Sequence, residues 1–558
     1  MSTMSLVAKV KLPFTLFVIL AILTPAVVGY AYRWRLSTVT DFAISVYGLY
    51  SLAHLAIQIV CASLNKRRMD KEVADRPEGW NDIRVGICVA GYREDAFYFE
   101  ECLQSIKKSK YSNIARVICI VDGNDEGDKY MADVYRTVFN DNVVVLDYLI
   151  SEKNATDIDF SLFGNNNEPV CIMQPHKGKR EAQYTGFSIL LNDSSVQGII
   201  TTDSDTILDE NAVLELAYPL RHEYIGAVAG QISVWNTNSL LTFVIALRYW
   251  FSFNLERGCQ SFWRTVLCIA GPMGCYKASV IKDVKEKWLK QKFLGQPCTY
   301  GDDRHLTNQI LGQDLKVCYT PHALGHTDTP PNIFRYLIQQ TRWGKSYIRE
   351  FLFSIPLMHK HPLWLGYELF YHMVYFFLMM YWTLYLLFGA TIRQQFVAIA
   401  VTMVLGIVKS IYGVICTRNW RFIYFYLYTY VYFFVIIPSK LTALVTLWDV
   451  SWGTRGSVSS QVLTFITNYT MPIVWYGAMS AGFLYNLINN LTFKWDDKLF
   501  RSAFVGILSH TTFVAVSIIT YAVLQYTGLL RNSTLDYLEE KKEKQKISNT
   551  SNHTQEVV

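Results

Sequence analysis

The sequence predicts an α/β domain set between α-helical membrane-spanning segments, and three observations carry that prediction. Of 558 residues, 51% are hydrophobic and 15% aromatic while only 18% are charged, a balance more apolar than soluble domains show. Long apolar runs occupy both ends of the chain, and between them short β-branched runs alternate with amphipathic stretches. The formal net charge is +6, with Lys and Arg gathered beside apolar runs rather than in an arm. That distribution favours membrane orientation and argues against a nucleic-acid partner. The 11 cysteines stand singly, without a Cys-x-x-Cys pair, which argues against a zinc ribbon or disulfide framework and fits a reducing cytosol.

Taken in order, Lys9 and Lys11 precede an apolar run at 12–32, and a second run at 39–64 follows. Each is long enough to cross a hydrocarbon core of about 30 Å. Residues 1–65 are therefore expected to form a transmembrane hairpin whose first span is a retained signal anchor. Lys66, Arg67, Arg68 and Lys71 place the next segment, 66–330, in the cytosol, against a mild opposing signal from Arg33 and Arg35. Within it, 85–90, 117–121, 170–174, 199–202 and 227–232 read as strands of an α/β sheet whose acidic and glycine residues lie at strand ends, where such sheets bind ligands. The charged stretch 285–292 reads as a solvated helix face.

Residues 331–363 are expected to form interfacial helices, and 364–530 to return to the membrane. Apolar segments there run over 364–388, 396–416, 420–447, 462–488 and 503–529. If all five crossed, the loop 449–461 would lie outside. The positive turn with Arg418 and Arg421 and the tail with Lys541, Lys542, Lys544 and Lys546 both belong inside. Both conditions hold if 420–447 lies along or re-enters the membrane, giving about six spans. Tyrosines alternate at 424, 426, 428, 430 and 432, a strand period, but an isolated strand in lipid leaves its backbone unpaired, so a helix is expected. An aromatic belt is the stronger reading of those rings, a sugar-stacking surface the weaker. Asn490-Leu-Thr is a glycosylation acceptor on the expected outer side, and the polar tail 531–558 reads as disordered.

The chemistry-bearing segments fall at strand ends and helix starts. Thr202-Asp203-Ser204-Asp205-Thr206 follows an apolar strand, and its two carboxylates suit a hard divalent cation that neutralises a diphosphate. Alone, an acidic turn is the commoner meaning. Upstream, Gly91-Tyr92-Arg93-Glu94 and Asp122-Gly123-Asn124 end two strands. Tyr92 can stack on a base and Asp122 can accept from a uracil N–H, though either segment alone reads as a turn. The cations of His176-Lys177-Gly178-Lys179-Arg180 suit phosphate oxygens, while a basic start would be unusual for a helix. Asp302 in Gly301-Asp302-Asp303-Arg304 is either a helix cap or a general base. Gln339-Gln340-Thr341-Arg342-Trp343 and Trp452-Gly453-Thr454-Arg455 can bind phosphate and stack on sugar, or anchor at a membrane interface.

As a set and in this order, these motifs resemble the processive family 2 glycosyltransferases, which include cellulose, chitin and hyaluronan synthases. The resemblance runs from the first span to the last. Trp452-Gly453-Thr454-Arg455, with Gly271-Pro272-Met273-Gly274 and Gly295-Gln296-Pro297-Cys298, is most similar to hyaluronan synthases, the branch encoded by chlorella viruses above all. The resemblance implies a GT-A type cytosolic domain and a helical polytopic membrane domain. It implies that Tyr92, Glu94 and Asp122 hold uridine, that Lys177 and Asp203 hold the nucleotide sugar, and that Asp205 with Asp203 holds Mg²⁺ or Mn²⁺. Asp302 would be the base, and Gln339, Arg342 and Trp343 would surround the diphosphate and acceptor, with Cys298 bordering the acceptor. Arg455 would contact the diphosphate from a loop, 449–461, that closes over the site. The implied partners are UDP-GlcNAc, UDP-GlcA, nascent hyaluronan and membrane lipids, with growth and export through the chain's own helices. A chitin or chitooligosaccharide synthase is the near alternative; a membrane transporter or receptor with a nucleotide-sensing domain is the distant one.

Overall fold

The computed structural model describes residues 37–165, 167–449, 461–490, 512 and 514–527. The expected first span, Arg455 with most of its loop, and the tail lie outside the described residues.

A nine-stranded mixed sheet forms the centre of the domain that follows the first described helix. Its strands are β1 (Val85–Gly91), β2 (Ile114–Val121), β3 (Val143–Val145), β4 (Val170–Met173), β5 (Gly198–Asp203), β6 (Ile207–Leu208), β7 (Ile225–Val234), β8 (Met273–Lys277) and β11 (Lys316–Thr327), in the spatial order β3-β4-β2-β1-β5-β8-β7-β11-β6. Strands β9 (Lys292–Phe293) and β10 (Gln296–Pro297) form a separate small hairpin. The five runs expected as strands are strands. β1 is buried along its whole length and pairs in parallel with β2 on one side and β5 on the other, which explains its unbroken apolar sequence.

The sequence reading passed over β3, a three-residue Val run at the sheet's edge, the two-residue β6, β9 and β10, and the longer β8 and β11. β8, Met-Gly-Cys-Tyr-Lys, is inserted antiparallel between β5 and β7, so pairing on both edges overrides its weak intrinsic preference. β11 contains Pro321 and its pairing with β7 is irregular between Tyr319 and Leu324, where the missing N–H interrupts the ladder.

Helix α1 (Ser37–Ala74) has 38 residues, about 57 Å at 1.5 Å per residue. It is longer than a hydrocarbon core of about 30 Å, and its charged end meets the sheet domain, where Arg68 Nη2 donates to the Ser261 carbonyl at 2.8 Å. Within the domain, α2 (Lys179–Leu190) packs on β1 and β2. The stretch 285–292, expected as a solvated helix face, is so only in part: α3 (Ala278–Leu289) exposes Glu286 and Lys287, but Lys285 Nζ donates to Tyr184 and Ser188, and Gln291, past the helix end, is buried. Helix α4 (Asp302–Gly312) then leads through β11 to α5 (Ile333–Ser354), α6 (Leu363–Gly389) and α7 (Ile392–Thr417).

Residues 420–445 are helical throughout but broken into a 3₁₀ turn (Trp420–Leu427), a short α turn, a π turn (Tyr432–Ile436) and helix α8 (Ile437–Val445). Tyr424 and Tyr426 are buried against Phe243 and Phe251 rather than lining an open surface. Helix α9 (Gln461–Asn490) follows. Among the described residues four segments are long and apolar enough to cross a membrane: Ala43–Ala74, Leu363–Gly389, Val397–Thr417 and Trp420–Val445.

Candidate active site

Register alone assembles the first part of the site. Ala90 pairs with Asp203 and Gly91 with Val121, so the segments after β1, β2 and β5 emerge side by side at one edge. β1 is the switch point from which the sheet extends in both directions, the position where open α/β sheets take ligands. Glycine at 91 is required by proximity: a Cβ there would meet Ser204 Cβ and Oγ at 2.8 Å. Ser204 Oγ in turn donates to Glu94 Oε2 at 3.1 Å, tying the Tyr92–Glu94 segment to the Asp-x-Asp turn.

Asp122 is almost completely buried and accepts from the backbone N–H groups of Lys177 (3.0 Å) and Gly178 (2.8 Å), with His176 Nδ1 at 2.8 Å. The carboxylate therefore holds the 176–178 turn in place. The Tyr92 ring stacks on the His176 ring with centroids 4.0 Å apart. The carboxylate beside His176 raises its pKa above the ordinary imidazole value, against the opposing pull of burial.

That turn decides which lysine faces the acidic turn. The Lys177 side chain is exposed, whereas Gly178, at φ 105°, turns the chain so that Lys179 starts α2. Lys179 Nζ makes an ion-paired hydrogen bond with Asp203 Oδ1 and lies 3.7 Å from Asp302 Oδ2. Burial disfavours the ammonium, but Asp203 and Asp302 outweigh it and raise the pKa of Lys179. Sequence reasoning quoted Lys179 within its motif but favoured Lys177. The signal available was Gly178, a residue able to reverse the direction of the chain between the two.

Asp203 has its pKa raised by burial, with Lys179 opposing. Asp205 is pushed well above the carboxylate range by burial and by the charges of Asp203, Glu94 and Asp328. Among the described residues no three Asp, Glu, His or Cys side chains converge as a complete metal site. The oxygen donors of Asp203 and Asp205 and their excess negative charge fit a hard cation that completes its shell with diphosphate and water.

Asp302 opens α4 after Gly301, which has φ 73°. It is buried, and its Oδ2 has no hydrogen-bond partner. Trp288 Nε1 donates to its carbonyl at 2.8 Å. Arg342 comes from α5. Burial lowers its pKa, while the charges of Asp302, Asp303 and Asp203 raise it. Gln339, one turn earlier, has a buried Oε1 without a partner. Trp343 is 40% exposed on the same helix. Cys298 is buried at the end of the β9–β10 hairpin, and burial raises its thiol pKa, opposed by Arg349 and Arg180. Met273 lies wholly inside the sheet, its methyl filling the space a Cβ on Gly230 would need. Asp449, at the near end of the loop that carries Arg455, accepts from Lys345 Nζ at 2.9 Å.

A mixed sheet with an Asp-x-Asp turn at its switch point, a facing cation and a buried carboxylate at a helix start define a glycosyltransferase with a GT-A-like fold. Residues 198–437 match the family model described as glycosyl transferase family group 2. The chain is 32% identical over 529 residues to hyaluronan synthase 2 of Homo sapiens, covering 92% of this chain and 94% of that one. It is 34% identical over 486 residues to hyaluronan synthase 3 of Xenopus laevis, covering 85% of each. This chain belongs to the hyaluronan synthase family. Among solved structures it is similar to the mannosyltransferase PcManGT from Pyrobaculum calidifontis in complex with GDP-Man and Mn²⁺, at a TM-score of 0.36 and 14% identity, covering 80% of this chain and 99% of that one.

Proposed function

We propose that this chain polymerises hyaluronan by adding GlcNAc and GlcA alternately from their UDP donors at one site. The observation that carries the reading is the extent of the relationship, 92% of the chain, which takes in the sheet domain, the α5 motif and the membrane helices together. One Asp-x-Asp turn at the end of a sheet strand, Asp203-Ser204-Asp205, and one Gly-Asp-Asp-Arg segment stand in the chain, so both transfers use the same residues and alternation comes from the acceptor end.

Asp302, whose Oδ2 accepts no hydrogen bond, takes the proton of the acceptor hydroxyl as that oxygen attacks C1 of the donor, a contribution of roughly 10²–10⁴-fold for a positioned base. Displacement from the opposite face inverts the α-linked donor to a β-glycoside, with growth at the non-reducing end. Lys179 and Arg342 lie where the departing diphosphate gathers charge, and Arg455 closes from its loop. Mg²⁺ or Mn²⁺, held by Asp205 and Asp203, would supply charge neutralisation at that diphosphate. Tyr92, Glu94 and Asp122 form the uridine end, and Lys177 lies at its rim. Trp343 and Cys298 border the acceptor, and the polymer leaves between the membrane helices. The domain 66–330 faces the cytosol of a cell with about six spans holding it, in a host plasma membrane if the branch is viral.

The test is to incubate the purified protein in lipid with Mn²⁺ and each UDP-sugar singly or paired, then treat any polymer with hyaluronidase. Polymer only from the pair, and fully degraded, is expected. Polymer from UDP-GlcNAc alone would replace the reading with chitin synthesis.

A further inference from the structure

Glu350, on α5, is 1% exposed and is surrounded by four donors from three parts of the chain. Its Oε1 accepts from Arg349 Nε (3.0 Å) and Gln291 Nε2 (2.7 Å). Its Oε2 accepts from His305 Nδ1 (2.8 Å) and Asn308 Nδ2 (3.0 Å). Burial alone would raise its pKa; the hydrogen bond from His305 and the charge of Arg349 hold it down at about 2. The carboxylate is thus a fixed negative centre with all its lone pairs in use.

Arg349, oriented by that centre, donates through Nη2 to the carbonyl of Tyr300 at 2.6 Å. Arg180, at the start of α2, reaches the same carbonyl at 3.4 Å and Gln291 at 2.7 Å. Gly301 follows in a left-handed conformation, with Arg349 Nη2 only 2.6 Å from where its Cβ would lie. Asp302 comes next. A buried ion pair is poor evidence for stability, because an apolar replacement of equal volume is commonly as stable. A carboxylate accepting four donors to fix one backbone carbonyl two residues before the base has a geometric consequence instead.

We propose that Glu350 and Arg349 are positioning residues for Asp302, registering it to the helix that carries Gln339, Arg342 and Trp343. An enzyme that serves two acceptor sugars at one site needs its base placed against the acceptor terminus, and α5 carries both the acceptor platform and this clamp. Misplacement by about 1 Å is enough to cost on the order of a hundredfold in rate. The inference rests on Asp302 being the base.

The experiment measures UDP release by the full chain in lipid nanodiscs with Mn²⁺ and both donors, for Glu350→Gln, Arg349→Lys, Asp302→Asn and Ser105→Ala. Arg349→Lys keeps the charge beside Glu350 and removes the bond to Tyr300, so it answers the question even where Glu350→Gln fails to fold. Ser105→Ala removes another buried hydrogen bond outside this network, from the N–H of Leu208 at 3.0 Å. The expected result is a kcat roughly tenfold to a hundredfold lower in Glu350→Gln and Arg349→Lys, with donor KM within about twofold and Ser105→Ala at full rate. Wild-type kcat in Arg349→Lys, a raised KM at unchanged kcat, or an equal loss in Ser105→Ala would each overturn the positioning role. Full turnover by Asp302→Asn would remove the base assignment itself, whatever the other variants do.

Discussion

Lys179 is shared by two carboxylates that lie 99 positions apart in sequence: its ammonium donates to Asp203 Oδ1 and stands 3.7 Å from Asp302 Oδ2. One cation thus joins the Asp-x-Asp turn to the residue assigned as base. With the lysine removed, the two carboxylates lose the cation they share, a costly change at a largely covered site.

Lys179→Met is therefore expected to lower turnover by about a hundredfold, the scale of losing one buried charge-stabilising donor. Lys177→Met, at a solvent-exposed side chain, is expected to change it by less than about threefold. Steady-state UDP release decides between them. A larger loss at Lys177 would return the diphosphate role to that residue.

Gly271 makes a related prediction. It precedes β8, and a Cβ there would meet Lys179 Nζ at 2.8 Å and Asp203 Oδ2 at 3.5 Å. The obstructed atom is the end of a flexible chain, so the fold can yield cheaply while the ion pair cannot stay as it is. Gly271→Ala is expected to change thermal stability by less than about 1 kcal/mol and to lower turnover by at least about tenfold. Unfolding at a much lower temperature, with specific activity kept in the folded fraction, would contradict this.

The contrast between Lys177 and Lys179 shows what was legible beforehand. Order and spacing of motifs pointed to the site because ligand-binding residues cluster at strand ends, and β1, β2 and β5 announce themselves through buried apolar runs. β8 and β11 did not, since their strand state comes from neighbours on both edges. Which lysine turns inward depends on one glycine torsion, and a periodicity reading has no access to it. Glu350 was not singled out at all, because its four donors come from segments up to 59 residues away. The alternating tyrosines were correctly expected to be helical on backbone grounds; their burial against Phe243 and Phe251 is a packing outcome that the alternation could not reveal.

Two glycines with nearly the same torsion separate strain from crowding. Gly301 has φ 73° and a Cβ position blocked by Ser346 Oγ and Arg349 Nη2; Gly79 has φ 72° and nothing within 4 Å. Gly79→Ala bears only the left-handed penalty, about 1–2 kcal/mol. Gly301→Ala adds overpacking, for a total of about 2–5 kcal/mol, and displaces the start of α4. Thermal unfolding in detergent should order the variants wild type, Gly79→Ala, Gly301→Ala, with activity lost only in the last. Equal stability of the two variants would show that the space around Gly301 relaxes.

Proton and metal should compete at Asp205. Burial first, then the charges of Asp203, Glu94 and Asp328, raise its pKa well above the carboxylate range. A carboxylate with a raised pKa retains its proton to higher pH than an exposed one, and that proton must leave before the oxygen can bind a cation. Apparent Mn²⁺ affinity, read from the metal dependence of UDP release, is therefore expected to weaken with falling pH while unperturbed carboxylates are still ionised. In the metal-free protein the sign reverses. The folded state binds this proton more tightly than the unfolded chain, so its contribution to stability is present at low pH and lost as pH rises through the raised pKa. Mn²⁺ should remove that loss by binding the ionised form. Replacing Asp205 by Asn removes the titrating group and should flatten both trends while abolishing metal-dependent turnover. Retained metal-dependent turnover in that variant would take the ligand role away from Asp205.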